Sequence, residues 1–356
     1  MHEKLSQFHL AILVFMTQAG MVIFSLPRLL AQYFGTNGWL VVVLFAVVVS
    51  MNIALISAVY HLGKGRSVFD IMEQSIPRWM LFPFYFLILV SWAVIGCLVA
   101  KQYILLFQMI AFPTASPMLF KFLFDALLFL FITMGIYNIS KAATVFLWLM
   151  GWITLLLFYF YEDSQWERLT PFIFQDSHFS MEGFIGVYSA FLGYELFILV
   201  FPYVDKKTKV SRAILYGHLI VTLHYLYLGL IAFGTYGHTY LSTLQFPLLS
   251  IFAYIQFPFI QGAEILFYTF FMFSIITTAG MYFWASAEVG KQMFPVNMKL
   301  LVFIILFAAF CITYPVDTMN EITSVLTNLS YLQLVTAILF PIGLILLLLI
   351  QRTRGE

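Results

Sequence analysis

Charge is scarce in this 356-residue chain: 9% of its residues are Asp, Glu, Lys or Arg, against about 25% in a soluble domain. So few charges cannot cover a water-facing surface, which excludes a soluble globular protein. A net charge of +1 offers no electrostatic footprint for nucleic acid. Disorder is excluded as well, because it needs low hydrophobicity and high net charge. Cysteine is almost absent, and Cys97 and Cys311 both lie in apolar runs, which leaves no disulfide framework and no CxxC metal or redox motif. Catalytic signatures are missing: there is no GxSxG, HExxH, Walker A or GxGxxG pattern. An enzyme, ATP-driven transport, a cofactor and a bound metal are all unexpected.

Hydrophobic residues make up 63% of the chain, with 41 Phe, 20 Tyr and 7 Trp, and aromatics suit lipid contact and interfacial belts. The chain reads as an all-α integral membrane protein. A spanning helix needs about 20 mostly apolar residues. Ten stretches qualify: Phe8–Tyr33, Gly38–His61, Met80–Phe107, Met118–Tyr137, Ala142–Tyr161, Met181–Val204, Ala213–Gly234, Gln261–Phe294, Met298–Tyr314 and Leu329–Ile350. The first is too long for a signal-peptide core and lacks a small-residue cleavage site, so it reads as a retained span. With the N-terminus inside, thirteen Lys and Arg fall in cytoplasmic segments, among them Lys64, Arg66, Lys206, Lys207 and Arg354, against Lys121 and Arg168 outside. That asymmetry places both termini in the cytoplasm.

Ten spans divide into five and five, about residues 8–161 and 181–350 of a single domain (1–356), and an odd number per half forces inverted topology. The first span of each half is interrupted. Span one contains Thr17-Gln18-Ala19-Gly20-Met21 through Ser25-Leu26-Pro27, and span six contains Phe191-Leu192-Gly193-Tyr194-Glu195 followed by Pro202. Gly20 and Gly193 lie about a dozen residues into their spans, near the bilayer midplane at roughly 1.5 Å per residue. The links after spans two and seven carry matching short semi-apolar stretches, Val68–Met72 and Leu248–Phe252, which read as helices at the membrane surface. Paired interrupted spans point to an inverted-repeat transporter with its site at the midplane. Unwound backbone survives in hydrocarbon only where it lines an enclosed cavity, and a half-helix start offers N–H groups to an anion.

Ionisable groups within spans are functional candidates. Glu195 reads as a contact for a ligand ammonium, a protonatable switch, or half of a structural ion pair, for which Lys101 is the natural partner. Arg28 is expected to snorkel outward, Lys121 and Asp125 to pair peripherally, and Glu264 and Glu288 to reach the interface. Ser274, Thr277 and Thr278 either bond their own i−4 carbonyls or, with span-one carbonyls, complete a small-cation site. His218 and His224 read as interhelical hydrogen-bonding groups.

The runs Gln18-Ala19-Gly20-Met21 through Leu26-Pro27-Arg28, and Phe191–Glu195 continuing into Phe201-Pro202-Tyr203-Val204 and a basic loop, resemble spans one and six of the spore-germination permease family. These are the B subunits of GerA-type germinant receptors. Pro258-Phe259-Ile260 and Tyr314-Pro315-Val316-Asp317 extend the resemblance along the chain. It implies an amino-acid-permease fold of the APC superfamily, a LeuT-like 5+5 inverted repeat with helices one and six discontinuous. It also implies sensing of a small nutrient such as an amino acid in the spore inner membrane, together with an A subunit and a C-subunit lipoprotein. The ligand is then expected at Ala19, Gly20, Met21, Gly193, Tyr194 and Glu195, with Lys101, Tyr103, Phe271 and Ser274 nearby; a cation near Thr277 and Thr278 belongs to the competing transporter reading. Where many members have Glu-Arg before span eight, this chain has Gln261-Gly262, so a charge pair at the outer mouth is missing. A proton- or cation-coupled amino-acid transporter, and a structural subunit with a vestigial pocket, are the competing readings.

Overall fold

A computed structural model describes residues 4–170, 173–205, 207–255 and 263–353. Lys206, Pro258-Phe259-Ile260, Gln261-Gly262 and Arg354, singled out above, lie outside the described residues.

The described chain is helical almost throughout, and each predicted apolar stretch is helical over most of its described length. Span one is α1 (Gln7–Gln18), a 3-10 turn (Met21–Phe24) and α2 (Leu26–Phe34). Pro27 falls in the first turn of α2, where its missing N–H has no helical acceptor to lose. The first half continues with α3 (Val41–Leu62), the short α4 (Val68–Ser75), α5 (Arg78–Ala111), α6 (Pro117–Thr133) and α7 (Ile136–Leu156). Span six is α8 (Met181–Ser189) and, after a turn, a 3-10 helix (Tyr194–Tyr203). Then come α9 (Val210–Tyr236), the short α10 (His238–Leu241) and α11 (Pro247–Ala253), α12 (Ala263–Met293), α13 (Met298–Thr313) and α14 (Met319–Thr353). Seven helical runs among the described residues are long and apolar enough to cross a membrane. The two short stretches read from the links are helical, as α4 and α11.

Two starts are earlier than hydrophobicity indicated, because polar first turns are invisible to an apolar count. α14 begins at Met319 rather than Leu329: Thr318 and Glu321 cap it reciprocally, Thr318 N–H donating to Glu321 (3.1 Å) and Glu321 N–H to Thr318 Oγ1 (3.2 Å). α7 begins at Ile136 rather than Ala142 and carries Asn138, Ser140 and Lys141 in its first turns.

The two broken spans are central. Span six is mostly buried inside the protein, whereas α7 and α14 turn most of their surface outward. α1 packs on α9 at Gly217, where a Cβ would stand 2.4 Å from the Ala11 carbonyl oxygen. Leu5 and Gln351, near the two ends of the described chain, lie at one end of the bundle. Leu5 pairs with Val204 as an isolated parallel bridge, its N–H donating to Tyr203 O (3.0 Å), while Thr208 Oγ1 and Asp205 N–H donate to Leu5 O. Ser211 bonds His61 at the end of α3, and Gln351 at the end of α14 donates to Ile71 O and Ser75 Oγ of α4 (both 2.8 Å).

Lys121 and Asp125 form the expected i,i+4 pair, with Lys121 fully enclosed against Phe310. Removing one member leaves the other charge buried alone, at a cost of about 3–5 kcal/mol. Lys121→Met is therefore expected to destabilise the detergent-solubilised protein strongly. Lys121→Met with Asp125→Leu recovers most of the loss, read as thermal midpoints in one detergent.

Candidate functional site

Breaking a helix strands carbonyls that would have accepted from the next turn. In span one each is met by a side chain from elsewhere. Thr278 Oγ1 donates to Met16 O and Thr17 O (both 3.1 Å), and Ser274 Oγ donates to Ala19 O (2.6 Å). The Tyr225 hydroxyl of α9 lies 2.8 Å from both Gln18 O and Ala190 O, bridging the two breaks. Gln18 crosses in the other direction, its Nε2 donating to Phe191 O (2.5 Å) beside His218 Nδ1 (3.5 Å). His218 Nε2 in turn reaches Ala46 O (3.0 Å).

In span six the chain turns at Gly193 with φ 112°, a left-handed conformation open to glycine. A Cβ there would also stand 2.9 Å from Thr17 Cγ2, so the breaks touch. The Glu195 carboxylate folds back onto its own break, accepting from Gly193 N–H (2.7 Å) and from the Tyr282 hydroxyl of α12 (3.1 Å). Span six thus carries its own acceptor.

Span one does not. Met21 and Val22 open its 3-10 turn, and among the described residues no acceptor bonds their N–H groups. Both line a cavity of about 290 Å³. Its floor is the break (Thr17, Gln18, Gly20) with Thr278 and Tyr282, and its walls come from α5, α8 and α14. It runs along α2 past Arg28 to Tyr33 and Glu182, toward the end of the bundle opposite Leu5 and Gln351.

The family profile described as "Spore germination protein" matches residues 4–322. The chain belongs to that family. It is 22% identical over 320 residues to the spore germination protein GerQB of Bacillus cereus, covering 90% of this chain and 88% of the relative. Its fold is similar to that of MhsT in complex with L-phenylalanine (TM-score 0.65, 14% identity, 89% of this chain and 80% of that one). It is similar also to Mhp1, a nucleobase-cation-symport-1 family transporter, closed with bromovinylhydantoin bound (TM-score 0.64, 15% identity, 88% and 72%). The chain is thus a multi-pass membrane protein of permease-like, LeuT-type fold with its first and sixth helices discontinuous.

Within this germination-family fold the expected site residues divide. Gly20, Met21 and Thr278 line the cavity. Ala19 and Ser274 bond each other beneath it, and Thr277 turns back to Phe273 O (3.0 Å). Gly193 and Glu195 lie behind Tyr282 and outside the cavity wall. Tyr194 is enclosed with Tyr188 and Asn52, its hydroxyl 2.6 Å from that of Tyr188. Tyr103 stacks on Tyr268, each hydroxyl bonding the other's carbonyl, and Phe271 packs edge-on against Phe24. Neither reaches the cavity.

Three expectations are corrected. Lys101 does not pair with Glu195: its ammonium reaches Asp317 (3.0 Å), Thr313 O (2.8 Å) and Tyr314 O (3.1 Å), because α13 ends beside it and offers free carbonyls. Arg28 does not snorkel outward but lines the cavity, half-buried. Glu288 is buried rather than interfacial, held by Tyr203 (2.9 Å) and Lys291 (2.7 Å) where span six ends against α12. Tyr225 and Tyr282, which serve the breaks, and Thr323, Thr327 and Ser330 of α14, which line the cavity, gave no signal in sequence, because nothing local marks a hydroxyl for a role across the bundle.

Tyr225→Phe strands the Ala190 carbonyl, worth about 1–3 kcal/mol when buried unpaired, and breaks the link to Gln18 O, which keeps the Gly20 N–H (2.7 Å). The expected result is a lower thermal midpoint and faster hydrogen exchange at both breaks, with the outer ends of α2 and α8 unchanged.

Proposed function

We propose that this chain is the nutrient-sensing B-type subunit of a spore germinant receptor, binding a small carboxylate-bearing molecule such as an amino acid at the span-one break. One observation carries the reading: Met21 and Val22, whose amides no acceptor bonds among the described residues, line a cavity sized for such a molecule. An N–H pair at the foot of a half-helix is an anion site, while the neighbouring carbonyls are already occupied. The ligand carboxylate sits on Met21 and Val22 above Gly20. Ala19, Ser274 and Thr278 hold the floor, and Glu195 holds Gly193 and Tyr194 in place behind it. On this reading the halves 8–161 and 181–350 are inverted repeats and both termini face the cytoplasm. The subunit lies in the spore inner membrane and works with an A subunit and a C-subunit lipoprotein. Ligand need only bind one of two conformations more tightly to signal.

A second reading is favoured by the floor itself. Thr278 with the Met16 and Thr17 carbonyls gathers oxygens beneath the ligand, and Tyr282 connects the cavity to Glu195. These are the parts that a cation- or proton-coupled amino-acid transporter would use.

Reconstituted protein separates the two. Saturable amino-acid binding without accumulation in proteoliposomes is expected, and Gly20→Val, which fills the floor, is expected to weaken binding by at least tenfold. Accumulation against a gradient favours the transporter. Undiminished binding in Gly20→Val removes the site.

A further inference from the structure

The cavity is longer than the ligand that its floor fits. From Gly20 a 3-10 turn and the start of α2 lead to Arg28, a rise of about 14 Å at roughly 2.0 and 1.5 Å per residue, and residues along that whole run line the cavity. The carboxylate and amino group of an α-amino acid share one carbon. A small amino acid seated on Met21 and Val22 therefore leaves the Arg28 end open.

That end has a chemical character of its own. Arg28 is the one cation on the cavity wall among the described residues. It is half-buried, its Nε is enclosed without a partner, and among the described residues no hydrogen bond or ion pair reaches its guanidinium. The acid on the same wall, Glu182, stands exposed and outside ion-pair distance. Between Arg28 and the floor the polar wall groups, Gln102, Thr323 and Thr327 among them, are neutral. A guanidinium is permanently charged and presents paired donors that match the two oxygens of a carboxylate. Partial burial without a counter-charge raises its energy, and an arriving anion lowers it again.

We propose that Arg28 forms a second, outer carboxylate subsite, at which the ligand's carboxylate is captured before it moves inward to the Met21 and Val22 amides. This rests on the functional reading above, that the ligand carries a carboxylate. Arg28 thereby sets the rate of capture and the preference for anionic headgroups, while the break sets residence.

The test uses the full chain in nanodiscs and a panel of the twenty α-amino acids, followed by stopped-flow binding of the tightest member. Arg28→Gln is expected to slow association about tenfold, to flatten its salt dependence and to leave dissociation unchanged, whereas Arg28→Lys keeps most of the wild-type rate. Unchanged association in Arg28→Gln overturns the subsite, and so does a slower rate that keeps the wild-type salt dependence, which marks a structural role. In wild-type protein the same amino acid is expected to protect Arg28 from phenylglyoxal, read by peptide mass spectrometry; an unprotected Arg28 overturns the proposal without any variant. Failure of Arg28→Gln alone, with Gly20→Val still losing binding, leaves the functional reading standing. No binding of any amino acid to wild type removes that reading and the subsite together.

Discussion

Two lengths of unwound backbone lie in the middle of an apolar protein, and every peptide group there has to find a partner or cost several kcal/mol. The carbonyls find theirs in Thr278, Ser274, Tyr225 and Gln18, which come from α1, α9 and α12. Those bonds fix the mutual position of the two broken spans, because Tyr225 and Gln18 each touch both. The placement of α9 and α12 against span one follows from the same requirement, and so does the location of the cavity.

The two breaks solve their amide problem differently. Span six supplies Glu195 from its own sequence two residues beyond Gly193, and the Tyr282 hydroxyl orients that carboxylate. Span one has no such acid in its own sequence, and Met21 and Val22 line the cavity with their amides unbonded among the described residues. Pseudo-symmetry in the order of helices thus coexists with asymmetry in the breaks: one carries its own acceptor, and the other has none for its first amides among the described residues. The fold is shared with transporters, but fold alone does not assign an activity.

Much of this was legible in the residues. Gly20 and Gly193 marked the breaks because glycine and neighbouring polar residues interrupt otherwise apolar runs, and Val68–Met72 and Leu248–Phe252 marked the short helices by their amphipathic composition. Lys121 and Asp125 were readable because i,i+4 spacing is local. Partnerships that cross the bundle were not. Lys101 and Asp317 are separated by 216 positions, and nothing near either one records that α13 stops between them. The polar start of α14 was missed because Thr318 and Glu321 act through capping rather than burial, so that wall of the cavity, with Thr323 and Thr327, was absent from the sequence reading.

The bridge between Leu5 and Val204 has a mechanical consequence. It staples the tail ends of both interrupted helices, and Tyr203, one residue earlier, is anchored to Glu288 of α12. The opposite ends are stitched as well: His178 N–H, just before α8, donates to Tyr33 O of α2 (3.0 Å), and Thr36 N–H donates to Gln175 O (3.1 Å). Leverage on either broken span therefore meets backbone pairing to the other at both of its ends. The half-helices α2 and α8 are coupled through Tyr33 and His178, while unfastening the Leu5 end requires the backbone pairing and the Tyr203 anchor to give way in concert.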